Sequence, residues 1–323
     1  MLAPLARAGS PIQLFYEVKA NLTKAQVKLL HDAGIHRIQP GIESLSDHIL
    51  ELMRKGTTAL RNVQLLKWPQ EYGVPAEWNI LYGFPGETPE DYARILEMLP
   101  AIRFLRPPCA TGPIRLDRFS PYHTSPEQHG LVNLRPMAIY HHLYPFDTDS
   151  LRRIAYYFDF DYADGLDPTG YATEVIAYTA AWRRDGDRGM LSAVTSADGA
   201  LTIVDTRPER SLPVVQLSGL EQAAYEYCDA LHPVVAIARH LRERFPDAVF
   251  EDEDVRAFVD SLVANRLMVT DGVNYLSLAI GVPPPVGRQR SAASEDAHPG
   301  QRASPVVPLE LALATAPAGP CPG

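Results

Sequence analysis

Short apolar runs alternate with amphipathic segments through the first 120 residues. Four of the runs have the length and flanking turns of strands: 12–18, 35–41, 75–83 and 114–119. Apolar positions at helical spacing lie between them and predict helices over 24–33, 47–53, 59–72 and after Thr88. Strand–helix alternation of this kind is typical of a parallel sheet, and four strands are too few to close a barrel.

The first two long helices carry further signals. In the first, Val27, Leu29 and Leu30 are expected to face the sheet, and Gly34 is expected to close the helix. In the helix over 59–72, Pro69 is expected to bend or shorten the last turns.

Polar residues and tight turns follow two of the predicted strands. The buried run 38–43 ends at the carboxylate of Glu43, and the run 78–83 ends in a Gly-Phe-Pro-Gly turn. In parallel α/β folds the carboxyl ends of the strands carry the ligand site. The sequence therefore predicts a binding site at this edge.

Three polar residues near these strand ends are interpreted as helix caps rather than ligands. Ser46 precedes the helix that starts at 47, while Thr88 is followed by Pro89 at the first helical position and by Asp91 three residues after the cap.

The pattern changes after residue 140. Aromatic and basic residues dominate 141–160, and 170–183 predicts a helix packed beneath the sheet. Alternating runs on either side of Asp198-Gly199 and of Asp271-Gly272 predict two hairpins, 191–205 and 267–278.

Helices are predicted between the two hairpins, over 219–231, 233–245 and 253–264. Three helices and a hairpin predict a small winged-helix-like α+β domain. The Pro-, Ala- and Ser-rich sequence after it predicts a disordered tail. The predicted divisions of the chain are a partial barrel over 1–140, a helical extension over 141–189, the winged-helix-like domain over 190–280 and the tail over 281–323.

Composition and charge argue against a nucleic-acid-binding, membrane-spanning or secreted protein. The 323 residues are 46% hydrophobic and 21% charged, with a net charge of −9, which argues against a nucleic-acid partner. The acidic run 251–254 is interpreted as a solvated helix start. No apolar run approaches the length of a membrane span, and the first residues are too short and proline-broken for a secretory signal. A cytoplasmic protein without a membrane partner is expected.

Several segments resemble one enzyme family in the same order along the chain. They are FYEVKANLT (15–23), IQPGIESLSDHILELMRKG (38–56), NVQLLKW (62–68), VPAEWNILYGFPGETPEDY (74–92), PIRLDRFSPY (113–122) and IAYYFDF (154–160). Together they resemble the back half of the radical S-adenosylmethionine (SAM) TIM-type barrel, in the cobalamin-dependent branch that matures ribosomally made peptides. The resemblance covers roughly residues 1–280 and implies a partial, truncated barrel.

The resemblance also implies which residues bind SAM. In that family the residues after the fourth strand and along a G-x-I-x-G-x-x-E-like fifth strand hold this cofactor. They correspond here to Glu43, Ser44, Asn79, Ile80, Gly83 and Glu87.

Two of these residues, Glu43 and Gly83, also have a purely structural interpretation. Glu43 could be a charge that the dipole of a nearby helix start favours. Gly83 and Gly86 could serve only the turn, although such a turn also lets a ligand approach the backbone.

The cysteines depart from the family pattern. The family holds a [4Fe–4S] cluster on C-x-x-x-C-x-x-C, whereas Cys109, Cys228 and Cys321 are far apart in this sequence. The second-strand motif that binds the methionine amine and the preceding cobalamin domain have no counterpart either. The resemblance therefore implies weak SAM binding and no local ligands for the cluster or for cobalamin. His141-His142 is not interpreted as a metal site, because adjacent residues point to different faces.

Two pairs of opposite charges could line a substrate cavity. Glu17 and Lys19 point to the same side of a predicted strand, and Arg115 and Asp117 do likewise. A polar substrate pocket and an internal ion pair explain these pairs about equally well.

A partial barrel should expose parts that a whole barrel covers. The strand over 12–18 is expected to have a bare edge, and the concave face is expected to present an apolar patch. Self-association, or association with an upstream fragment that carries the cluster motif, would follow.

Two functions remain open. The first is a radical SAM enzyme, or a fragment of one, that C-methylates a ribosomal precursor peptide. The second is a non-catalytic peptide-binding scaffold or split-gene remnant that lacks the iron–sulfur site.

Overall fold

The first part of the protein is a parallel sheet with helices packed on it. The structure, a computed structural model, describes residues 14–196 and 199–281. The parallel strands are β1 (Leu14–Val18), β2 (Ile35–Pro40), β3 (Asn79–Tyr82) and β4 (Ala110–Pro113). β1 pairs with β2 and β3 pairs with β4, in each case in parallel. The predicted α/β class is confirmed.

Backbone hydrogen bonds join the two strand pairs into one surface. The N–H of Glu77 donates to the carbonyl of Ile38 at 2.8 Å, and the N–H of Leu81 donates to the carbonyl of Glu43 at 2.9 Å. The order across the surface is therefore β1, β2, β3, β4.

Helices fill the connections between these strands. They are α1 (Lys24–Asp32), α2 (Asp47–Leu52), α3 (Ala59–Glu71) and α4 (Pro89–Ile102). Val27 and Leu30 of α1 are buried as expected, but the expectation for Leu29 is wrong, because its side chain is 44% exposed. Leu29 lies about 200° around the helix from Val27, on the solvent side. The third helix continues through Pro69 to Glu71.

The predicted strand over 114–119 is also wrong. The fourth parallel strand is β4, a few residues earlier, in the Ala-Thr-Gly-Pro segment that has no strand-like apolar pattern. It is fixed by pairing with β3 rather than by its own sequence, since Asn79 pairs with Ala110 and Tyr82 with Pro113. Leu116 and Asp117 instead begin another sheet.

That other sheet forms an antiparallel lobe, residues 116–162, which the sequence pattern did not predict. Its strands run in the order β5 (Leu116–Asp117), β7 (Tyr157–Tyr162) and β6 (Leu131–Pro136). Short helices complete the lobe: α5 (Pro121–Thr124), a 3₁₀ turn (Pro126–His129), α6 (Ile139–Leu143) and α7 (Thr148–Ile154). The lobe has its own small core of Leu116, Leu131, Ala155 and Phe158.

A long helix, α8 (Pro168–Arg184), returns from the lobe to the parallel sheet. It packs against β3, β4 and α4. The hydroxyls of Thr111 and Thr179 lie 2.7 Å apart, and the rings of Trp78 and Trp182 meet edge to face at 6.2 Å. The helix predicted over 170–183 is thus present, and it packs along the face of β3 and β4 next to α4.

The remaining chain contains two small sheets and three helices. One sheet has the order β10 (Val214–Leu217), β9 (Leu201–Asp205), β8 (Leu191–Thr195), β14 (Ile280–Gly281), and the other has the order β11 (His232–Pro233), β13 (Asn274–Ser277), β12 (Met268–Thr270). The helices are α9 (Gly219–Tyr227), α10 (Val234–Arg244) and α11 (Asp252–Ala264).

Both hairpins predicted in this part are confirmed, since β8 pairs with β9 and β12 with β13, each antiparallel. The winged-helix-like assignment stays a prediction. So do the four divisions of the chain.

Buried charges tie this carboxyl-terminal part to the parallel sheet. Lys67 of α3 is fully buried, and its ammonium group donates to the carbonyls of Ser277 (2.7 Å) and Asp229 (3.1 Å). It also pairs with the carboxylate of Asp229 at 2.9 Å. One continuous apolar core runs through both parts of the described chain.

The open face of the parallel sheet is mostly polar, although Phe15 (39% exposed) and Leu81 also lie on it, so the described residues do not form the broad apolar patch that was expected. Side chains that alternate away from the helices include Glu17, Lys19, Arg37, Gln39 and Asn79, all exposed or half-exposed. Alternation places most of the apolar side chains of these strands on the opposite side, where the helices bury them. Among the described residues, the outer edge of β1 has no strand partner.

Two further predictions concern segments that the structure does not describe. The start of the strand over 12–18 and the tail from 282 onward lie outside the described residues. Within the described part of the chain, none of the helices combines the length and apolar character needed to cross a bilayer.

Candidate functional site

A cavity of about 850 Å³ lies at the carboxyl ends of β2 and β3. The parallel sheet provides one wall through Glu43 and Leu81, and the antiparallel lobe provides the opposite wall through Phe119, Tyr122 and His129. This is the edge at which the sequence predicts a ligand site. The lobe makes it a cleft rather than an open sheet edge.

Glu43 is the acidic residue of this cavity. Its side chain is 23% exposed, and it pairs with the ammonium group of Lys55 at 3.4 Å. Lys55 also donates to the carbonyl of Gly41 at 3.3 Å. Arg54 lines the same wall in a left-handed backbone conformation with φ +55°. One carboxylate and two cations therefore face the cavity, an arrangement that suits a ligand carrying both an ammonium and a carboxylate group.

Ser44 belongs to a buried hydrogen-bond network. Its hydroxyl accepts from the N–H of Ser46 at 3.1 Å, and the hydroxyl of Ser46 donates to Asp91 at 2.6 Å. His48 and the N–H of Thr88 contact the other carboxylate oxygen of Asp91, both at 2.9 Å. Burial opposes ionisation, but these hydrogen bonds outweigh it and hold the pKa of Asp91 below its ordinary value.

This network supports the interpretation of the three polar residues as caps. Ser46 caps α2 by accepting from the N–H of Ile49, and Asp91 satisfies the N–H of Thr88 at the start of α4. The side chains of these residues therefore make hydrogen bonds at helix starts.

Asn79 and Ile80 occupy opposite faces of β3. Asn79 is half-buried on the open face, whereas Ile80 is completely buried on the helix side. Only the backbone of Ile80 could therefore meet a ligand on the open face. Leu81, the next residue on the open face, lines the cavity.

Gly83 and Glu87 form a closed turn behind the cavity. One oxygen of the Glu87 carboxylate accepts from the N–H of Gly83 at 2.5 Å, and the other accepts from the N–H of Phe84 at 3.0 Å. The hydroxyls of Tyr92 and Tyr171 also donate to this carboxylate. Burial raises the pKa of Glu87, and the hydrogen bonds offset this only in part. The side chain of Glu87 holds the turn, and the neighbouring Phe84 faces the cavity.

The four residues predicted for a substrate pocket do not come together in one cavity. Glu17 and Lys19 lie on the exposed face of β1 and form no ion pair with another described residue. Arg115 and Asp117 pair with each other through two hydrogen bonds of 2.6 and 3.0 Å.

Arg115 lines a second cavity, of about 470 Å³, between the lobe and β3. Its guanidinium lies 4.3 Å from the centre of the Tyr157 ring. Tyr82 and Tyr162 line the same cavity. Alternation along β3 sends Tyr82 and Leu81 to opposite faces, so the two cavities lie on opposite sides of that strand.

The cysteines of the described residues do not fit an iron–sulfur cluster. Cys109 is exposed, whereas Cys228 is buried, and burial raises the pKa of Cys228 to about 12. A cluster needs several thiolates together. No group of three or more histidine, cysteine or acidic side chains in residues 14–196 and 199–281 is arranged to hold a metal.

Comparison with known protein families finds a match for one segment of the chain. Residues 5–99 match the Radical SAM superfamily. This radical SAM segment contains α1 to α3, β1 to β3, most of α4 and the cavity residues Glu43, Arg54 and Lys55.

Two curated relatives each match over a short stretch of the chain. An uncharacterized methyltransferase, PH0819, from Pyrococcus horikoshii is 36% identical over 64 residues, which is 20% of this chain and 14% of that protein. The ribosomal protein uS12 methylthiotransferase RimO from Flavobacterium johnsoniae is 36% identical over 70 residues, 21% of this chain and 16% of that protein. The chain thus spans less than a fifth of the length of each.

Among solved structures, the radical SAM methyltransferase TsrM from Kitasatospora setae aligns at 19% identity with a TM-score of 0.34. The alignment covers 42% of this chain and 29% of that one.

Sequence reasoning missed much of the cavity wall. The basic pair Arg54-Lys55, directly after a helix at the strand ends, was a usable signal. Tyr122 and His129 gave none, since they reach the cavity only through the fold of the lobe, where their rings meet edge to face at 4.7 Å.

Proposed function

We propose that this chain provides the SAM- and peptide-binding part of a cobalamin-dependent radical SAM enzyme that C-methylates a ribosomally synthesised peptide. The observation that carries the proposal is the cavity at the strand ends of the segment that matches the Radical SAM superfamily. The methyltransferase name of the Pyrococcus horikoshii relative supports methyl transfer as the reaction class.

The residues of the cavity offer a partner for each charged part of SAM. The carboxylate of Glu43 would accept the methionyl ammonium, and Arg54 and Lys55 would bind the methionyl carboxylate. The rings of Phe84 and Tyr122, with centres 6.5 Å apart, offer an apolar surface for the adenine. When bound in this family, SAM supplies the reactive radical, and this chain's part is to bind, orient and exclude water.

The peptide would enter from the lobe side. The lobe wall of the same cavity, with the ring of Phe119 and the imidazole of His129, has the mixed polar and aromatic lining that suits a peptide side chain. The cluster thiolates would come from a segment that carries C-x-x-x-C-x-x-C, because Cys109, Cys228 and Cys321 are too far apart in this sequence.

Replacement of Glu43 by alanine tests the SAM site. We expect calorimetric titration to detect weak SAM binding to the full chain, and Glu43→Ala to weaken it about tenfold or more, because a charge-assisted contact is lost. Glu174→Ala, an exposed carboxylate on α8, is the matched control and should bind as the parent does. Tight binding that Glu43→Ala leaves unchanged would show that the SAM site is elsewhere.

The missing cysteine motif favours the second candidate, a non-catalytic peptide-binding scaffold, and cluster reconstitution separates the two. Anaerobic reconstitution of the chain alone should give no cluster, whereas reconstitution with a cysteine-bearing partner should give iron, sulfide and a charge-transfer band that survive desalting. Near-stoichiometric iron on the chain alone would contradict the first expectation. No cluster in any combination would favour the scaffold.

A further inference from the structure

The turn at residues 83–87, called here the Glu87 turn, is held by side chains from outside the radical SAM segment. The hydroxyl of Tyr162, at the end of β7, donates to the carbonyl of Gly83. The hydroxyl of Tyr171, in the first turns of α8, donates to the carboxylate of Glu87. The two phenols therefore bind the same turn, one at its backbone and the other at its carboxylate.

Among the described residues, all partners of the Glu87 carboxylate are neutral hydrogen-bond donors. The backbone supplies two, from Gly83 and Phe84, and tyrosines supply two, Tyr92 and Tyr171. The residue is 5% exposed and forms no ion pair with a described residue. A buried carboxylate without a cation depends on its full set of donors, so removing one of them weakens the hold on the others.

The backbone of the turn fits Tyr162 sterically as well. Gly83 has φ +94°, and a Cβ atom at this position would lie 2.6 Å from the hydroxyl oxygen of Tyr162 and 3.5 Å from Pro168. The phenol occupies the space that a side chain would need. The conformation of the turn and the position of Tyr162 are therefore fixed together.

The turn carries part of the cavity wall. Phe84 and Pro85 both line the cavity of about 850 Å³, and they follow directly on the clamped Gly83. Phe84 also meets the ring of Tyr122 from the lobe. Any movement of the turn would move this wall relative to Glu43 at the end of the neighbouring strand β2.

We propose that Tyr162 and Tyr171 are positioning residues that clamp the Glu87 turn and thereby fix the Phe84–Pro85 wall of the cavity. Neither residue contacts the cavity ligand in this proposal; both act through the turn. The identity of that ligand as SAM rests on the proposed function, whereas the clamp itself does not.

Hydrogen–deuterium exchange of the full chain tests the clamp without any ligand. In Tyr171→Phe and Tyr162→Phe, we expect the amides of the 81–89 segment, above all Gly83 and Phe84, to exchange about tenfold faster than in the parent, since each variant removes one bond that supports the turn. Tyr157→Phe is the matched control. It lies on the same strand as Tyr162, and its ring faces Arg115 rather than the turn.

Three comparisons decide the outcome. Faster exchange confined to 81–89 in the two variants, with melting temperatures close to that of Tyr157→Phe, supports the clamp. Exchange equal to that of Tyr157→Phe, or faster exchange spread over the whole chain, overturns it. SAM titration of the same variants is a separate test. If the parent binds SAM, unchanged affinity in both variants overturns the positioning role. If the parent does not bind SAM, the proposed function fails, and the exchange result still decides whether the clamp exists.

Discussion

Replacement of Lys67 by alanine is expected to lower the free energy of unfolding by about 3 kcal/mol or more, because it leaves a partly buried carboxylate without its closest cation. The ammonium group of Lys67 is completely buried and is bonded to Asp229 and to the carbonyl of Ser277. Burial lowers the pKa of Lys67, and the charge of Asp229 opposes that shift. Lys24, whose ammonium group lies 3.0 Å from the carboxylate of Asp229, remains in the variant. Because Asp229 keeps this cation, we expect a loss at the lower end of the range for a broken buried ion pair.

Urea denaturation of Lys67→Ala against the parent measures this cost. The matched control is Lys28→Ala, which breaks a helix Lys–Asp pair of 2.6 Å with both side chains about half exposed. It should leave the denaturation midpoint almost unchanged, since surface pairs contribute little. An equal midpoint for Lys67→Ala and the parent would contradict the view that this lysine joins α3 to the carboxyl-terminal part.

Replacement of Arg207 by alanine is expected to cost about 3–5 kcal/mol, or to prevent folding altogether. Arg207 is 1% exposed and binds the carboxylate of Asp205 through two nitrogens, at 2.9 and 2.6 Å. The remaining donors reach the carbonyls of Ala101 (2.6 Å) and Arg266 (2.8 Å). Removing the guanidinium leaves the carbonyls of Ala101 and Arg266 without this donor, and it leaves the buried carboxylate of Asp205 with the backbone N–H of Arg207 but without its charged partner.

The chain offers a close control for this variant. Arg242 and Asp252 also lie 2.6 Å apart, but both side chains are nearly half exposed. Arg242→Ala should change the free energy of unfolding by no more than about 1 kcal/mol. Thermal and urea denaturation of the two variants compares a buried Arg–Asp pair with an exposed one. Similar losses of unfolding free energy in both variants would show that burial does not set the strength of the Arg207 pair.

The helices and hairpins illustrate what local sequence could predict. Helices α1 to α4 and α9 to α11 were found because apolar residues repeat with the helical period and capping residues mark their starts, which are properties of a few neighbouring positions. The two Asp-Gly hairpins were found for the same reason, because the turn chemistry is local. The error at Leu29 arose where three nearby apolar residues were assigned to one face, although the helix turns by about 100° per residue.

The lobe and β4 illustrate what local sequence could not predict. Ala110 to Pro113 has no strand pattern and becomes a strand only because β3 offers it a parallel edge. The lobe strands β6 and β7 pair across an intervening 20 residues, with a shift of register between Val132 and Arg135 that no local signal encodes. Pairing between distant segments depends on the whole fold rather than on the propensity of either segment.

For the candidate site, the sequence by itself determined the chemical groups, and the tertiary structure decided how they are used. Glu43 could be named from its place after a strand, because strand ends meet at one edge in any parallel sheet. Whether a carboxylate faces a cavity or a turn depends on what packs against it. The structure leaves Glu43 beside Lys55 in the cavity, whereas Tyr162, Tyr92 and Tyr171 enclose the turn that Glu87 holds. Two of those tyrosines lie about 75 residues or more beyond Glu87, and only the folded chain brings them within hydrogen-bonding distance.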